Sequence, residues 1–196
     1  LSTGMCTLAE VKESITVLRK GGVKDIVVLH CTTAYPTADK DVNLKAMVTM
    51  RDVFHIPVGY SDHTLGTDVS IAAVALGACV IEKHITLDKK TPGPDHFASL
   101  EPKELYALVR SIRRTERILG TGNKGPSGGE KIIARVARKS IVAARNIEKG
   151  KKIDADDIAF KRPGTGLPPT FADKLVGKSA KHSFKKDQEF KRFDLI

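Results

Sequence analysis

His63 and His84 are the two residues from which this sequence most readily builds a reaction centre. Each follows a short apolar run, in Gly59-Tyr-Ser-Asp-His-Thr-Leu-Gly66 and Val80-Ile-Glu-Lys-His84. Two imidazoles brought together at neighbouring strand ends could share one borderline divalent ion, with water and substrate oxygens filling its other positions and the ion acting as a Lewis acid. No local ligand motif accompanies them, so the same residues could equally close strand ends through ordinary hydrogen bonds. Asp62 and Glu82 stand close by in sequence and could orient ligands or move protons, or be salt-bridged or solvated carboxylates. The hydroxyls of Ser2, Thr3, Thr32, Thr33 and Ser61 suit phosphate or carboxylate oxygens, and each could instead cap a helix. Tyr35-Pro36 and Pro92-Gly-Pro-Asp-His96, with Asp95 at its tip, mark two long loops that suit substrate contacts or only shape a turn. Arg162, in Lys161-Arg-Pro-Gly164, could clamp an anion or an amide carbonyl, or be plain surface.

These side chains need a frame that brings them to one rim. Apolar, strand-like runs at 26–29, 56–60 and 79–81 alternate with helical patterns at 43–54, at 67–76 and from Ser99 or Glu101 to Leu119. Thr7 and Glu10 form a capping box for a further helix that runs to about Lys20 and stops at Gly21-Gly22. Apolar strands alternating with helices predict a parallel sheet covered on its faces, with reactive residues just beyond the strands' carboxyl ends. The chain opens on Leu1-Ser2-Thr3-Gly4 without an initiating Met. If Leu1-Ser2 ends a strand, residues 1–120 hold four βα units of ~30 residues, half of a (β/α)8 TIM barrel. Half a barrel leaves exposed strand edges, so the expectation is the C-terminal part of a longer protein.

The segment 121–130, rich in Gly with one Pro, reads as a linker. Beyond it, residues 131–196 read as a small, mostly β domain. Strands are expected at 140–144 and 159–162, turns at 147–150 and 185–187, and helical turns near Ala155 and Ala172. An internal echo relates Arg145-Asn-Ile-Glu-Lys-Gly-Lys-Lys-Ile153 to His182-Ser-Phe-Lys-Lys-Asp-Gln-Glu-Phe190.

The 196 residues include 33 Lys and Arg against 23 Asp and Glu, for a net charge of +10. Fifteen of the basic and 14 of the acidic residues lie in 1–120, so a net +1 sits there and the other +9 in 121–196. Aromatic residues make up 5%, and Trp is absent. The basic residues are scattered among apolar ones without interleaved aromatics, which argues for a surface facing an anionic substrate over a nucleic-acid reader. No apolar run reaches the ~20 residues of a membrane span, and no secretory pattern opens the chain. Cys6, Cys31 and Cys79, odd in number and without C-x-x-C spacing, fit reduced thiols, so a cytoplasmic protein is expected.

Taken in order, Ser2-Thr-Gly-Met5, His30-Cys-Thr-Thr-Ala-Tyr-Pro-Thr37, Gly59 to Gly66, Val80 to His84, Gly93-Pro-Asp-His96 and Lys161-Arg-Pro-Gly164 resemble the sialic acid synthase family, meaning the N-acetylneuraminate synthases and their legionaminate and pseudaminate relatives. The resemblance covers essentially the whole chain and implies an α/β (β/α)8 barrel followed by an antifreeze-like (SAF) domain. It implies condensation of phosphoenolpyruvate with N-acetylmannosamine or a related N-acetyl hexosamine, giving a nine-carbon 2-keto acid and phosphate. It also implies a divalent metal, typically manganese with magnesium or cobalt as alternatives, and a homodimer whose small domain covers the partner's barrel mouth.

By position, the resemblance makes His63 and His84 the metal ligands. It places Ser2, Thr33 and Ser61 on phosphoenolpyruvate, with Thr33 standing where some members have Asn. Tyr35 and Asp95 fall by the sugar, and Arg162 on a partner subunit's sugar N-acetyl group. The Lys161-Arg-Pro-Gly164 form is similar to the bacterial branch, which leans towards a free sugar. The acidic and lysine residues that the family takes from the first half of the barrel have no counterpart here, so this chain alone is expected to be inactive. A non-catalytic sugar- or anion-binding module is the alternative reading.

Overall fold

The computed structural model describes residues 1–194, which divide into two compact units, Leu1–Asn123 and the residues from Lys124 onward. The first is built on a parallel sheet in the order β1 (Val28–Cys31), β2 (Val58–Asp62), β3 (Ile81–Lys83). On the far side of β1, Ser2 bridges Leu29 in parallel, and the Leu29 N–H donates to the Leu1 carbonyl. Parallel strands need crossover connections, and helices supply them. They are α1 (Leu8–Lys20), α2 (Asp39–Val42), α3 (Lys45–Phe54), α4 (Asp68–Ala75) and α5 (Pro102–Leu119). The result is a partial (β/α) barrel-like core whose sheet is not closed among the described residues.

Local chemistry sets the helix ends. At α1 the Thr7 N–H donates to Glu10 at 2.7 Å and the Thr7 hydroxyl accepts from the Glu10 N–H, so two orphan donors are satisfied at once. The helix expected over 43–54 is α3, which starts at Lys45 because Asn43 takes a left-handed conformation, φ 45°, and separates it from the short α2 before it.

All three strands lie two residues further along the chain than their apolar runs suggest. Val58 and Tyr60 face the helices, buried with Val28, Met47, Met50, Val11 and Ile15. Residues in between face the opposite side of the sheet, as the period of two requires. The ladder therefore continues through polar residues once the apolar run has ended, and the chemical side chains sit on the strands themselves. Gly59 shows how close that packing is: a Cβ there would fall 2.5 Å from both Leu29 Cδ2 and the Val80 carbonyl oxygen.

The second unit begins with α6 (Gly128–Ala137), so the stretch expected as linker over 121–130 is partly helical. Its composition hid a second capping box, in which the Ser127 N–H donates to Glu130 at 2.7 Å and the Ser127 hydroxyl accepts from the Glu130 N–H. β4 (Ser140–Ala143) pairs antiparallel with β5 (Ile158–Lys161), and a short helix α7 (Ala172–Leu175) follows.

The internal echo is a structural repeat with one constant offset. Ile147 and Phe184 exchange both backbone hydrogen bonds. Ala143 N–H to the Gln188 carbonyl is matched by Ala180 N–H to Lys151, and Phe190 N–H to Ile141 by Ile153 N–H to Lys178. The two turns place Gly150 (φ 84°) and Asp187 (φ 69°) at the same position, which needs a left-handed residue. Ile147, Ile153, Phe184 and Phe190 from the two copies fill one core. Each copy then closes on a carboxylate: Arg145 on Asp157, and His182 on Asp194. Among the described residues, no helix is long and apolar enough to cross a membrane.

Candidate functional site

At the carboxyl ends of β2 and β3 the polar residues divide by face. Ser61 pairs with Glu82 and Asp62 with Lys83 in the strand register, and His63 and His84 follow. On the open face the Ser61 hydroxyl donates to Glu82 Oε1 at 2.7 Å, and the imidazole rings of His63 and His84 lie 5.3 Å apart in an edge-to-face arrangement. Tyr35 comes over from the loop after β1 and lies against both, its ring 4.1 Å from that of His63 and 5.6 Å from that of His84.

His63 is buried and its tautomer is set. Nδ1 lies 2.9 Å from the Thr32 carbonyl oxygen, which can only accept, so Nδ1 carries a proton and the neutral ring has its lone pair on Nε2. Cys31 Sγ is also close, 3.8 Å from Nδ1. His84 is more open, with 37% of its side chain exposed, and its Nδ1 stands 4.0 Å from the Asp95 carboxylate. Asp95 in turn is anchored through its carbonyl, which accepts from the Ser99 hydroxyl at 2.6 Å. The Tyr35 hydroxyl is held above its ordinary pKa, first by partial desolvation and then by the nearby Cys31, Asp95 and Glu82.

Two imidazoles with one Nδ1 committed to a carbonyl suit a borderline divalent ion as donor atoms, because a ligating histidine ordinarily donates its other ring N–H to an oxygen. Among the described residues no group of three or more His, Cys, Asp and Glu is arranged around a common point. The pair would therefore supply two positions and leave the others to water or substrate.

The structure brings His63, His84, Tyr35, Ser61 and Asp95 together. Thr33 is exposed at the end of β1, where a side chain at Gly4 would collide with its hydroxyl, so the Ser2-Thr3-Gly4 tip adjoins it. Ser2 is exposed. Thr3 is committed elsewhere, its hydroxyl donating to the Leu29 carbonyl at 2.9 Å. Arg162 belongs to the second unit, where its Nε donates to the Ala137 carbonyl at 2.8 Å.

The sequence reading missed what lies behind this face. Asp62 and Lys83 form an ion pair at 3.0 Å with side chains 0% and 3% exposed. A salt bridge is one of the readings open for Asp62, but the only sign that Lys83 is its partner is their matched position, one residue before each histidine. His30, the first residue of the His30–Thr37 stretch, points to the helices and its Nε2 meets the Val42 carbonyl at 2.8 Å.

A profile of the NeuB family matches residues 1–124, and a profile of the SAF domain matches residues 138–189. Among curated proteins, the N,N'-diacetyllegionaminic acid synthase of Legionella pneumophila is 50% identical over 181 residues, covering 90% of this chain and 51% of that protein. The human N-acetylneuraminate-9-phosphate synthase is 41% identical over 180 residues, covering 91% of this chain and 50% of that protein. The chain thus spans about half the length of these relatives. Among solved structures, the N-acetylneuraminic acid (sialic acid) synthetase of Leptospira borgpetersenii, in complex with citrate, superimposes with a TM-score of 0.63 at 38% identity, covering 68% of this chain and 46% of that one. With more than half of its residues matched by the family profile and the rim histidines set on a parallel (β/α) core, the chain belongs to the NeuB family and carries a SAF domain behind it.

Proposed function

We propose that this chain carries the metal-holding part of a synthase that condenses phosphoenolpyruvate with N-acetylmannosamine or a related N-acetyl sugar, forming a nine-carbon 2-keto acid and releasing phosphate. The observation that carries the reading is the pair His63 and His84, 5.3 Å apart at the ends of adjacent parallel strands, with His63 Nδ1 tied to the Thr32 carbonyl. Membership of the NeuB family supports it. The relatives named above differ in the sugar acid that their names give, so the N-acetyl sugar is proposed as a class.

His63 and His84 would hold a divalent ion, for which manganese suits two imidazoles completed by oxygen donors. When bound, such an ion polarises a sugar carbonyl and stabilises the charge that develops on its oxygen. The chain's own residues position the reactants. The hydroxyls of Ser2, Thr33 and Ser61 can donate to the phosphate and carboxylate oxygens of phosphoenolpyruvate, which fixes its carbon 3 for attack on the open-chain aldehyde. Glu82 accepts from Ser61 in the substrate-free chain, so that hydroxyl turns from the carboxylate to the anion when phosphoenolpyruvate binds. Water then adds to carbon 2, and phosphate leaves from the resulting tetrahedral carbon. Tyr35 walls the site beside His63, and Asp95 can accept from sugar hydroxyls. Arg162 can donate to the N-acetyl carbonyl of a sugar held in a partner subunit, in a homodimer whose SAF domain covers the partner's barrel mouth.

The test uses a chain extended by the portion that the relatives have and this one does not span. His63→Ala and His84→Ala should each cut manganese-dependent phosphate release from phosphoenolpyruvate plus sugar by at least about a hundredfold. Unchanged turnover in both variants overturns the reading.

A further inference from the structure

The face of the sheet opposite the histidines is charged where a core would ordinarily be apolar. Asp62 and Lys83 pair directly across the register of β2 and β3, buried against α4. The Asp62 carboxylate is saturated: Oδ1 accepts from the Thr64 N–H at 2.9 Å and the Thr64 hydroxyl at 2.7 Å, and Oδ2 from the Ser70 hydroxyl and Lys83 Nζ. Lys83 Nζ also donates to the Thr64 carbonyl at 2.8 Å. Thr64 is thereby held at its N–H, its hydroxyl and its carbonyl, and Thr64 is the residue that follows His63.

A buried ion pair is a poor way to add stability, because desolvation offsets its attraction and apolar residues of similar volume often do as well or better. What this pair supplies is direction. It fixes the backbone on both sides of the His63 side chain just where β2 ends and the ladder no longer constrains it. Lys83 at the same time places His84, its next neighbour. One buried pair thus governs both imidazoles from behind the sheet without touching either ring.

We propose that Asp62 and Lys83 are positioning residues that set the geometry and tautomer of His63 and the placement of His84 through Thr64 and the β3 backbone. The proposal rests on the reading of the two histidines as a metal pair, and two readouts separate them. In this chain, nitrogen NMR of the imidazoles reports the His63 tautomer without metal, and titration with manganese alone reports affinity, with His63→Ala as the control that abolishes binding.

In Asp62→Leu/Lys83→Met, an apolar pair of similar size, the thermal midpoint should stay within a few degrees. The fixed Nδ1–H tautomer of His63 should be lost and manganese affinity should fall by about tenfold or more. A double variant with the native tautomer and native affinity overturns the proposal. If wild type binds no manganese, the metal reading fails and the tautomer alone decides the positioning role. Should the double variant not fold, Asp62→Asn keeps the shape and sets an amide NH2 against Lys83 or Thr64. It should weaken binding by about threefold or more and blur the tautomer, and native behaviour in it likewise overturns the proposal.

Discussion

Residue by residue, the histidines were legible and their support was not. His63 and His84 stand out because they follow two consecutive strand-like runs, which a parallel sheet makes neighbours. The Thr32 carbonyl that fixes His63 is a backbone atom, and no side-chain pattern announces it. Tyr60 gives the converse case. It is fully buried, packed near His30 with ring centroids 5.8 Å apart, and its hydroxyl is the one buried side-chain polar atom without a partner among the described residues. Burial, followed by the charge of Asp62, pushes that phenol well above its ordinary pKa, so it stays neutral. An unmet hydroxyl in a core costs about 1–3 kcal/mol, and removing it leaves the ring's packing intact. Tyr60→Phe should therefore leave the urea unfolding midpoint unchanged or raise it, with a gain of up to about 1 kcal/mol. A loss above about 1 kcal/mol would mean that the hydroxyl has a partner in solution.

Among the elements, the α1 cap and the repeated turns were legible because they are local, Thr7 with Glu10 and Gly150 with Asp187, whereas the Ser127–Glu130 cap was hidden among glycines. The limits of β1, β2 and β3 were read two residues early, because a ladder is set by pairing partners far away in sequence and persists after its residues turn polar. The echo between the two halves of the second unit was visible as a spacing of apolar residues, while its closing carboxylates were not. Asp157 is the stronger of these. Its burial acts to raise the carboxyl, and the Asp154 N–H, Lys151 and Arg145 together outweigh that and hold it down at about 2. A carboxyl depressed in the folded state contributes stability above its unfolded value, near 3.9, and that contribution is lost as pH falls through the folded value. Unfolding followed from pH 5 to pH 2 should show the second unit weakening between about pH 4 and pH 2. Asp157→Asn should flatten this slope and cost about 2 kcal/mol at pH 7, where Arg145 and Lys151 lose their carboxylate. An unaltered slope in the variant would assign the acid sensitivity to other groups.

For the whole molecule, the uneven charge and the glycine-rich break were the features legible from composition. Each unit has its own core, one gathered around Tyr60, Met47 and Val58, the other around Ile147, Phe184 and Phe190. The cores share no residue, and residues 120–126 between them lie outside any helix or strand, all exposed. Gly120 and Gly122 take left-handed conformations there, at φ 63° and 78°, with nothing near where a side chain would be. Such a stretch is where a protease finds backbone that it can extend into its cleft. Lys124 lies within it, whereas Lys89, in the long loop after β3, is tied to Glu104 at 2.6 Å. Brief trypsin treatment should therefore cut first after Lys124. The fragment from 125 onward should keep a cooperative thermal transition of its own, since the hydrogen bonds and contacts that build its core all lie within it. Mass spectrometry of the first products and calorimetry of the purified fragment check both parts. A first cut elsewhere would overturn the first part, and a fragment without a transition would mean that the basic unit depends for its fold on the barrel-like one.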